Sequence, residues 1–146
     1  MSSSEKTKNE ARSALLLEVI PRMMRIIRTE MRQLGKQKLT VPQFRVLLQL
    51  SQQPMSNQEL ASWMGVSAPT MSKMIDNMVK RNLITRKTEA ADRRQILVTN
   101  TKKGRTLVQA TRGIVQQRFT EKISLIPEDK LKAIETGLSI MKETFL

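Results

Sequence analysis

Apolar residues recur at helical spacing along most of the chain, and the first such stretch runs from about residue 10 to residue 35. Its apolar positions lie three, four or seven residues apart, which is typical of one face of an α-helix. The face comprises Leu16, Ile20, Met23, Ile27, Met31 and Leu34, and is widened by Leu15, Val19, Met24 and Ile26. So broad a face needs more cover than one neighbouring helix gives, and a partner subunit is a natural source. Pro21 removes one helical hydrogen bond, so the pattern predicts a kinked helix or two segments. The polar residues 1–9 are expected to be frayed.

Three shorter helices follow, and each has a recognisable first turn. Thr40-Val-Pro-Gln43 and Ser56-Asn-Gln-Glu59 both match the capping box, in which a hydroxyl and a side chain three residues later satisfy the first free amides. Gly65 is expected to end the second helix, and Ser67 to cap a third that runs to about Arg81. The buried positions of the third helix follow the helical period without a miss: Met71, Met74, Ile75, Met78 and Val79.

The period then changes from helical to alternating. Residues 83–87 and 95–99 are rich in β-branched side chains and predict two strands, joined by the polar stretch 88–94 into a β-hairpin. Thr101 is expected to cap a long helix that ends near Ile123. Pro127 begins a last helix with an apolar face.

The stretch from residue 56 to residue 99 therefore predicts helix, tight turn, helix and hairpin, with a turn at 64–67 of the length found in a helix-turn-helix. The outward residues of the second helix are small, polar or basic: Ser67, Ala68, Pro69, Thr70, Ser72, Lys73 and Asn77. Small side chains allow a helix to enter the major groove, where Thr and Lys reach base edges or phosphates. The positive end of the helix dipole adds a site for a phosphate.

The hairpin strengthens the case for DNA. Arg86 and Lys87 lie at the end of the first strand, and Arg93 and Arg94 at the tip. A narrow minor groove concentrates negative potential and attracts inserted arginines. Asp92 stands among these cations, and we expect it to orient Arg94 by a charge-assisted hydrogen bond. A basic recognition helix followed by a basic wing is a more specific indication of DNA binding than either feature alone.

Composition supports a polyanionic partner and excludes several chemistries. The chain has 26 Lys and Arg against 13 Asp and Glu, a formal charge of +13, and the excess is spread along the whole length. Such a field favours nucleic acid first and an anionic membrane second. Only 3% of residues are aromatic, which favours duplex over single-stranded nucleic acid.

The composition also excludes several chemistries. Cys and His are absent, so disulfides, imidazole or thiolate metal sites and Cys or His nucleophiles are excluded. The sequence contains neither a convincing pair of carboxylates nor a phosphate-binding Gly loop, so nothing in it indicates an enzyme. No cofactor or metal is expected.

Taken together, these motifs resemble the MarR family of winged helix-turn-helix transcriptional regulators. The matching segments are 39–47, Asn57-Gln-Glu-Leu-Ala61, Val66-Ser67, Thr70-Met-Ser-Lys73, Lys80-Arg-Asn-Leu-Ile84, Asp92-Arg-Arg94 and 98–104. One departure is Asn100, which stands where the family usually has an apolar residue. The resemblance implies a dimer built from the terminal helices, with recognition helices in successive major grooves of a pseudo-palindrome. It also implies that Arg94 enters the minor groove and is held by Asp92. The cysteine-sensing and zinc-sensing branches of the family do not apply.

The same resemblance implies a small ligand, commonly phenolic or anionic, that binds between the dimer region and the winged domain and releases DNA. Candidate pocket residues on the first helix are Arg22, Met23, Met24 and Met31. Methionines beside an arginine make an adaptable site for an amphipathic anion. The alternative, in which the methionines are core residues and Arg22 is solvated, is favoured.

The sequence thus predicts a mainly α fold with a small β-hairpin wing, in one winged helix-turn-helix domain over residues 1–146. About 39–100 would bind DNA, and about 10–36 and 101–146 would form dimerisation helices. The expected dimer contacts are Leu16, Ile20, Leu131, Ile134, Leu138 and Met141. The predicted function is a cytoplasmic transcriptional regulator, a repressor, that binds a duplex operator as a homodimer. The alternative is a sequence-tolerant architectural DNA-binding protein; a peripheral membrane protein would leave the wing unexplained.

Overall fold

The computed structural model describes residues 3–35, 39–88 and 96–145. Within these ranges the chain forms six helices and one three-stranded antiparallel sheet, so the predicted mainly α fold with a small hairpin is confirmed. The elements are α1 Ser3–Arg32, α2 Val41–Leu50, β1 Met55–Ser56, α3 Asn57–Met64, α4 Ala68–Lys80, β2 Ile84–Thr88, β3 Ile96–Asn100, α5 Lys102–Ile123 and α6 Glu128–Phe145.

The first helix differs from its prediction at its start, and of the two alternatives for Pro21 it excludes two separate segments. It begins at Ser3, so residues 3–9 are helical rather than frayed, and it passes through Pro21 as one element. Proline removes a single amide donor, and the turns on either side of it keep their own hydrogen bonds. Local polar pairs accompany the exposed part of the helix: Arg12 donates to Asn9 at 2.8 Å, and Arg22 pairs with Glu18 at 3.0 Å.

The predicted helix starts of the winged region are confirmed. The side chains of Thr40 and Ser56 each accept a hydrogen bond from the backbone amide three residues on, and the side chains of Gln43 and Glu59 accept one from the backbone amide of the cap residue. Gly65 ends α3 in the left-handed conformation at φ 73°, which glycine adopts at little cost.

Glu59 makes the stability of α3 dependent on pH. Its carboxylate accepts the backbone N–H of Ser56 at 2.7 Å, and this hydrogen bond, with a second from the Ser56 side chain, lowers the pKa of Glu59 below its ordinary value of 4.5. Because the folded-state pKa is the lower one, the stabilisation is present above pH 4.5 and is lost as the pH falls through the folded pKa. We expect the difference in melting temperature between wild type and Glu59→Gln to narrow from about pH 6 to about pH 3. A difference that stays constant over this range would contradict the assignment.

The sheet has the strand order β1-β3-β2. Each hairpin strand is displaced by one residue from its prediction, to 84–88 and 96–100, with Arg86 opposite Val98. Strand β1 was not predicted. Its two residues are too short to show an alternating pattern, and they become a strand only by pairing with Leu97 and Val98.

The core lies between α2, α3, α4, the sheet and the first half of α5. Its most deeply buried side chains are Leu47, Leu60, Met71, Ile75, Met78, Leu83, Ile84, Val46, Val98 and Val108. The predicted inner face of α4 is thus largely buried. At the other extreme, α6 buries none of its residues, and the first two-thirds of α1 leaves Leu15, Leu17 and Ile20 exposed. The folded chain therefore leaves α6 and the first two-thirds of α1 largely uncovered.

Candidate nucleic-acid interface

Helices α3 and α4 form the predicted helix-turn-helix. The connection is closed by Val66, whose amide donates to the Ala61 carbonyl at 3.0 Å. The start of α3 contacts the start of α4, where the Asn57 side-chain amide donates to the Ala68 carbonyl at 3.4 Å. The two helices are therefore joined at both the turn and their N-terminal ends.

The outward face of α4 is nearly as predicted. Ser67, Ala68, Pro69, Thr70, Lys73 and Asn77 are exposed, and Ser72 is half-buried. Ser67 is occupied as the helix cap: its hydroxyl accepts the Thr70 amide at 3.3 Å and lies 2.8 Å from the Thr70 hydroxyl. Lys73 forms no ion pair with any residue in the described part of the chain. This face thus offers small side chains, one unpaired cation and the positive end of a 13-residue helix.

Asn77 has a protein partner that the sequence did not reveal. The Gln43 side-chain amide donates to Asn77 Oδ1 at 3.1 Å, while Gln43 Oε1 accepts from the Thr40 amide and from Arg81, both at 3.1 Å. Gln43 therefore connects the capping box of α2 to the C-terminal half of α4. Sequence reasoning placed Gln43 in the capping box but had no signal for a contact 34 residues away.

The two wing cations of β2 differ in their surroundings. Arg86 and Lys87 are both exposed, but Arg86 Nη2 lies 2.5 Å from Asp76 Oδ1 on α4. This ion pair brings the base of the wing beside the exposed face of the helix. Three predicted wing residues, Asp92, Arg93 and Arg94, lie outside the described residues.

The four predicted pocket residues do not meet. Arg22 is exposed and paired with Glu18, whereas Met31 is 2% exposed and belongs to the core. Nine residues of helix separate Arg22 from Met31, which places them half a turn out of phase and roughly 13 Å apart along the axis. The arginines that share a cavity with Met31 are Arg28 and Arg32, in a space of about 420 Å³ between α1 and the start of α2. Met23 is exposed and Met24 half-buried.

A larger cavity, which sequence reasoning missed, lies between α2, α3 and α5. Its volume is about 640 Å³, and its lining includes Phe44, Leu48, Trp63, Val115, Arg45 and Arg112. The Arg45 guanidinium lies over the Trp63 ring, 5.1 Å from its centroid, at cation–π distance. The cavity therefore combines an apolar floor with two arginines.

The predicted dimer residues are left uncovered to different degrees in one protomer. Ile20, Ile134 and Leu138 are exposed, and Leu16, Leu131 and Met141 are half-buried. They lie on α1 and α6, the two helices with long unpartnered apolar faces. In the described part of the chain, no helix is both long enough and apolar enough to cross a lipid bilayer.

The fold and the helix-turn-helix with its adjoining hairpin define a winged helix-turn-helix protein. Residues 39–96 match the model of the MarR family, which confirms the resemblance indicated by the motifs: the winged region of this chain is a MarR-family domain. Members of that family are transcription regulators rather than enzymes. No functionally curated protein matches the chain significantly.

Solved structures share the fold over nearly the whole chain. RV1404 from Mycobacterium tuberculosis has a TM-score of 0.84 at 23% identity, covering 99% of this chain and 95% of that one. A MarR family protein from Bacillus stearothermophilus has a TM-score of 0.85 at 17% identity, with 98% of each chain covered. A point mutant of S. aureus MepR, bound to an oligodeoxyribonucleotide, has a TM-score of 0.63 at 22% identity, covering 92% of this chain and 98% of that one.

Proposed function

We propose that this protein is a transcriptional repressor that binds a pseudo-palindromic duplex operator as a homodimer in the cytoplasm. The observation that carries the proposal is the shared surface of α4 and the wing base: the exposed residues of α4 lie beside Arg86 of β2 through the contact with Asp76. Small side chains fit a helix into the major groove, and Lys87, the exposed cation of β2 next to Arg86, lies where the flanking backbone would pass. The DNA-bound structure of a similar fold, S. aureus MepR, supports this choice of partner.

Dimerisation is supported by the uncovered terminal helices. An isolated amphipathic helix is marginal in water, yet α6 has 18 residues and buries none of them within the protomer. A second copy of the chain would cover this face and that of α1. It would also set two recognition helices about 34 Å apart, one turn of duplex DNA.

The proposal is tested by selecting bound fragments from a random DNA pool and then competing the selected fragment against bulk DNA. A repressor of this kind should recover an inverted repeat and prefer it by about a thousandfold or more. A preference below about tenfold would favour the alternative, a sequence-tolerant architectural protein, for which the distributed charge of +13 is the supporting observation.

Lys73 is the residue of α4 best suited to contact a base. We expect Lys73→Ala to weaken operator binding by about 1–3 kcal/mol in a fluorescence-anisotropy titration, because a base contact is lost. An equal loss on every DNA sequence would show that Lys73 contacts a phosphate instead. Lys80→Ala, on the same helix but at its C-terminal end, is the control and should change affinity much less.

We further propose that an amphipathic aromatic anion binds the 640 Å³ cavity and releases DNA. The apolar residues of the lining would accommodate a ring, and Arg112, which also lines the cavity, would pair with the carboxylate of the ligand while Arg45 lies over Trp63. Trp63, the only tryptophan of the chain, reports binding directly. Titration with benzoate should change its fluorescence saturably and lower operator affinity, and Arg112→Gln should weaken both effects about tenfold while Arg25→Gln changes neither. Unchanged fluorescence at millimolar benzoate would exclude this site for an aromatic carboxylate.

A further inference from the structure

Asp76 is an unexpected residue on the proposed DNA-binding surface. It is the only carboxylate among the 13 residues of α4, and neither β2 nor β3 contains another. Its side chain is 54% exposed and lies one residue from Asn77 and three from Lys73, both on the outward face. A negative charge at this position repels the phosphate backbone. The carboxylate therefore lowers DNA affinity unless a contact that it makes within the protein favours binding in another way.

Stability does not account for Asp76. Its partner Arg86 is itself 42% exposed, and ion pairs between such exposed groups contribute little to folding, because water and salt screen them. Neither attraction to DNA nor protein stability explains why a carboxylate stands here. The remaining explanation is that the pair orients two elements relative to each other, since it joins α4 to β2 and both belong to the proposed interface.

The pair lies at the point where the angle of the wing over α4 is set. Residue 82 turns the chain from α4 into β2, with Asn82 in the left-handed conformation at φ 57°, and β2 then continues outward to Thr88. Ile84 is buried, but Arg86, Lys87 and Thr88 are exposed, so the outer half of the strand has no core contact on this side. The outer half is paired with β3 along its edge, and the Asp76 to Arg86 ion pair joins it to the helix.

The next residue of α4 also has a partner on another element of the protein. Asn77, the residue after Asp76, accepts from Gln43 of α2, and Gln43 in turn accepts from Arg81. Two consecutive residues of the recognition helix are thus tied to different neighbours, one to the wing and one to α2. Both side chains stay exposed to solvent, but each has a hydrogen-bond partner within the protein.

We infer that Asp76 and Arg86 are positioning residues, which set the orientation of the wing relative to the recognition helix and do not themselves contact DNA. The inference rests on the proposed function for its meaning, since the orientation matters only if both elements bind one duplex. It revises the role of Arg86, which the sequence placed among the DNA contacts. Lys87, which has no ion pair within the described ranges, keeps that role.

The first test measures how Asp76→Asn changes the affinity for operator DNA and for bulk DNA. If Asp76 only repelled phosphate, removing its charge would raise affinity for all DNA alike. As a positioning residue, its loss should lower the ratio of operator to bulk-DNA affinity by about two- to fivefold, which is the most that an exposed ion pair can supply, because contacts from helix and wing no longer fit together. Equal or tighter operator binding with an unchanged ratio would overturn the inference. An unchanged thermal midpoint shows that the variant is folded.

Variants of Arg86 separate positioning from phosphate contact. Arg86→Gln should reproduce the lost specificity, and the double variant with Asp76→Asn should be no worse than either single one, because both remove the same ion pair. The slope of log affinity against log salt should stay unchanged. The neighbouring Lys87→Gln is the matched control: it should weaken all DNA binding and reduce that slope by about one. A slope reduction with Arg86→Gln equal to that with Lys87→Gln would show that Arg86 contacts a phosphate and overturn its assigned role.

A measurement on the free protein keeps the inference separate from the proposed function. The chain has no cysteine, so Ser62→Cys on α3 and Thr88→Cys on β2 can carry a pair of spin labels without further changes. Both positions are exposed. Adding Asp76→Asn should broaden or shift the distance distribution between the labels, and an unchanged distribution would contradict the positioning role. If wild type shows no sequence preference, the proposed function fails, while this distance measurement still decides whether the pair orients the wing.

Discussion

Gly104→Ala is expected to destabilise the winged domain by about 3 kcal/mol or more. A Cβ at residue 104 would lie 2.0 Å from the Leu83 carbonyl oxygen and 3.0 Å from its carbon, both of them backbone atoms. The backbone cannot simply retreat, because the same carbonyl accepts hydrogen bonds from the amide and the hydroxyl of Thr101, each at 3.0 Å. Relieving the clash would break the contact between the start of α5 and the strand that begins the wing.

The effect is measured as the free energy of unfolding in urea, followed by circular dichroism. Gly113→Ala is the matched control, since it lies in the same helix and its added Cβ meets no atom within 4 Å. That change should stabilise the protein by about 0.5–1 kcal/mol, because alanine loses less backbone entropy in a helix. If Gly104→Ala were as stable as wild type, the conclusion that α5 packs closely against the Leu83 backbone would be wrong.

Leu138→Asp is expected to convert the proposed dimer to monomers. Leu138 lies on the apolar face of α6 with 56% of its surface exposed in the protomer, and that face includes Ile134 and Met141. If a second copy covers Leu138, an aspartate there would be buried without a partner, which costs several kcal/mol for each of the two symmetry-related positions. Analytical ultracentrifugation at micromolar concentration should show the change in mass.

Thr136→Asp serves as the control for charge on this helix. Thr136 is exposed and lies two residues away, about 160° around the helix from Leu138, so the dimer should survive. Deleting residues 127–146 should likewise give monomers or insoluble protein. A soluble dimer after that deletion, or after Leu138→Asp, would show that the subunits do not associate through α6.

Local features of the sequence determined most of the architecture. The capping boxes at Thr40 and Ser56, the glycine at 65 and the apolar period of α4 each depend on residues within one or two turns of each other, so they could be recognised without tertiary information. The same holds for the outward residues of α4, because burial of one helical face determines which residues lie on the other.

The tertiary structure decided what depends on contacts between distant residues. Strand β1 exists only through its pairing with β3, and the partners of Asn77 and Arg86 come from elements 34 and 10 residues away. The arginines near Met31 are Arg28 and Arg32 rather than Arg22, since the phase of a continuous α1 through Pro21 sets which side chains share a cavity. Periodicity reports which face of an element is buried, but not which neighbour covers it; that choice is made by packing and by the hydrogen bonds it allows.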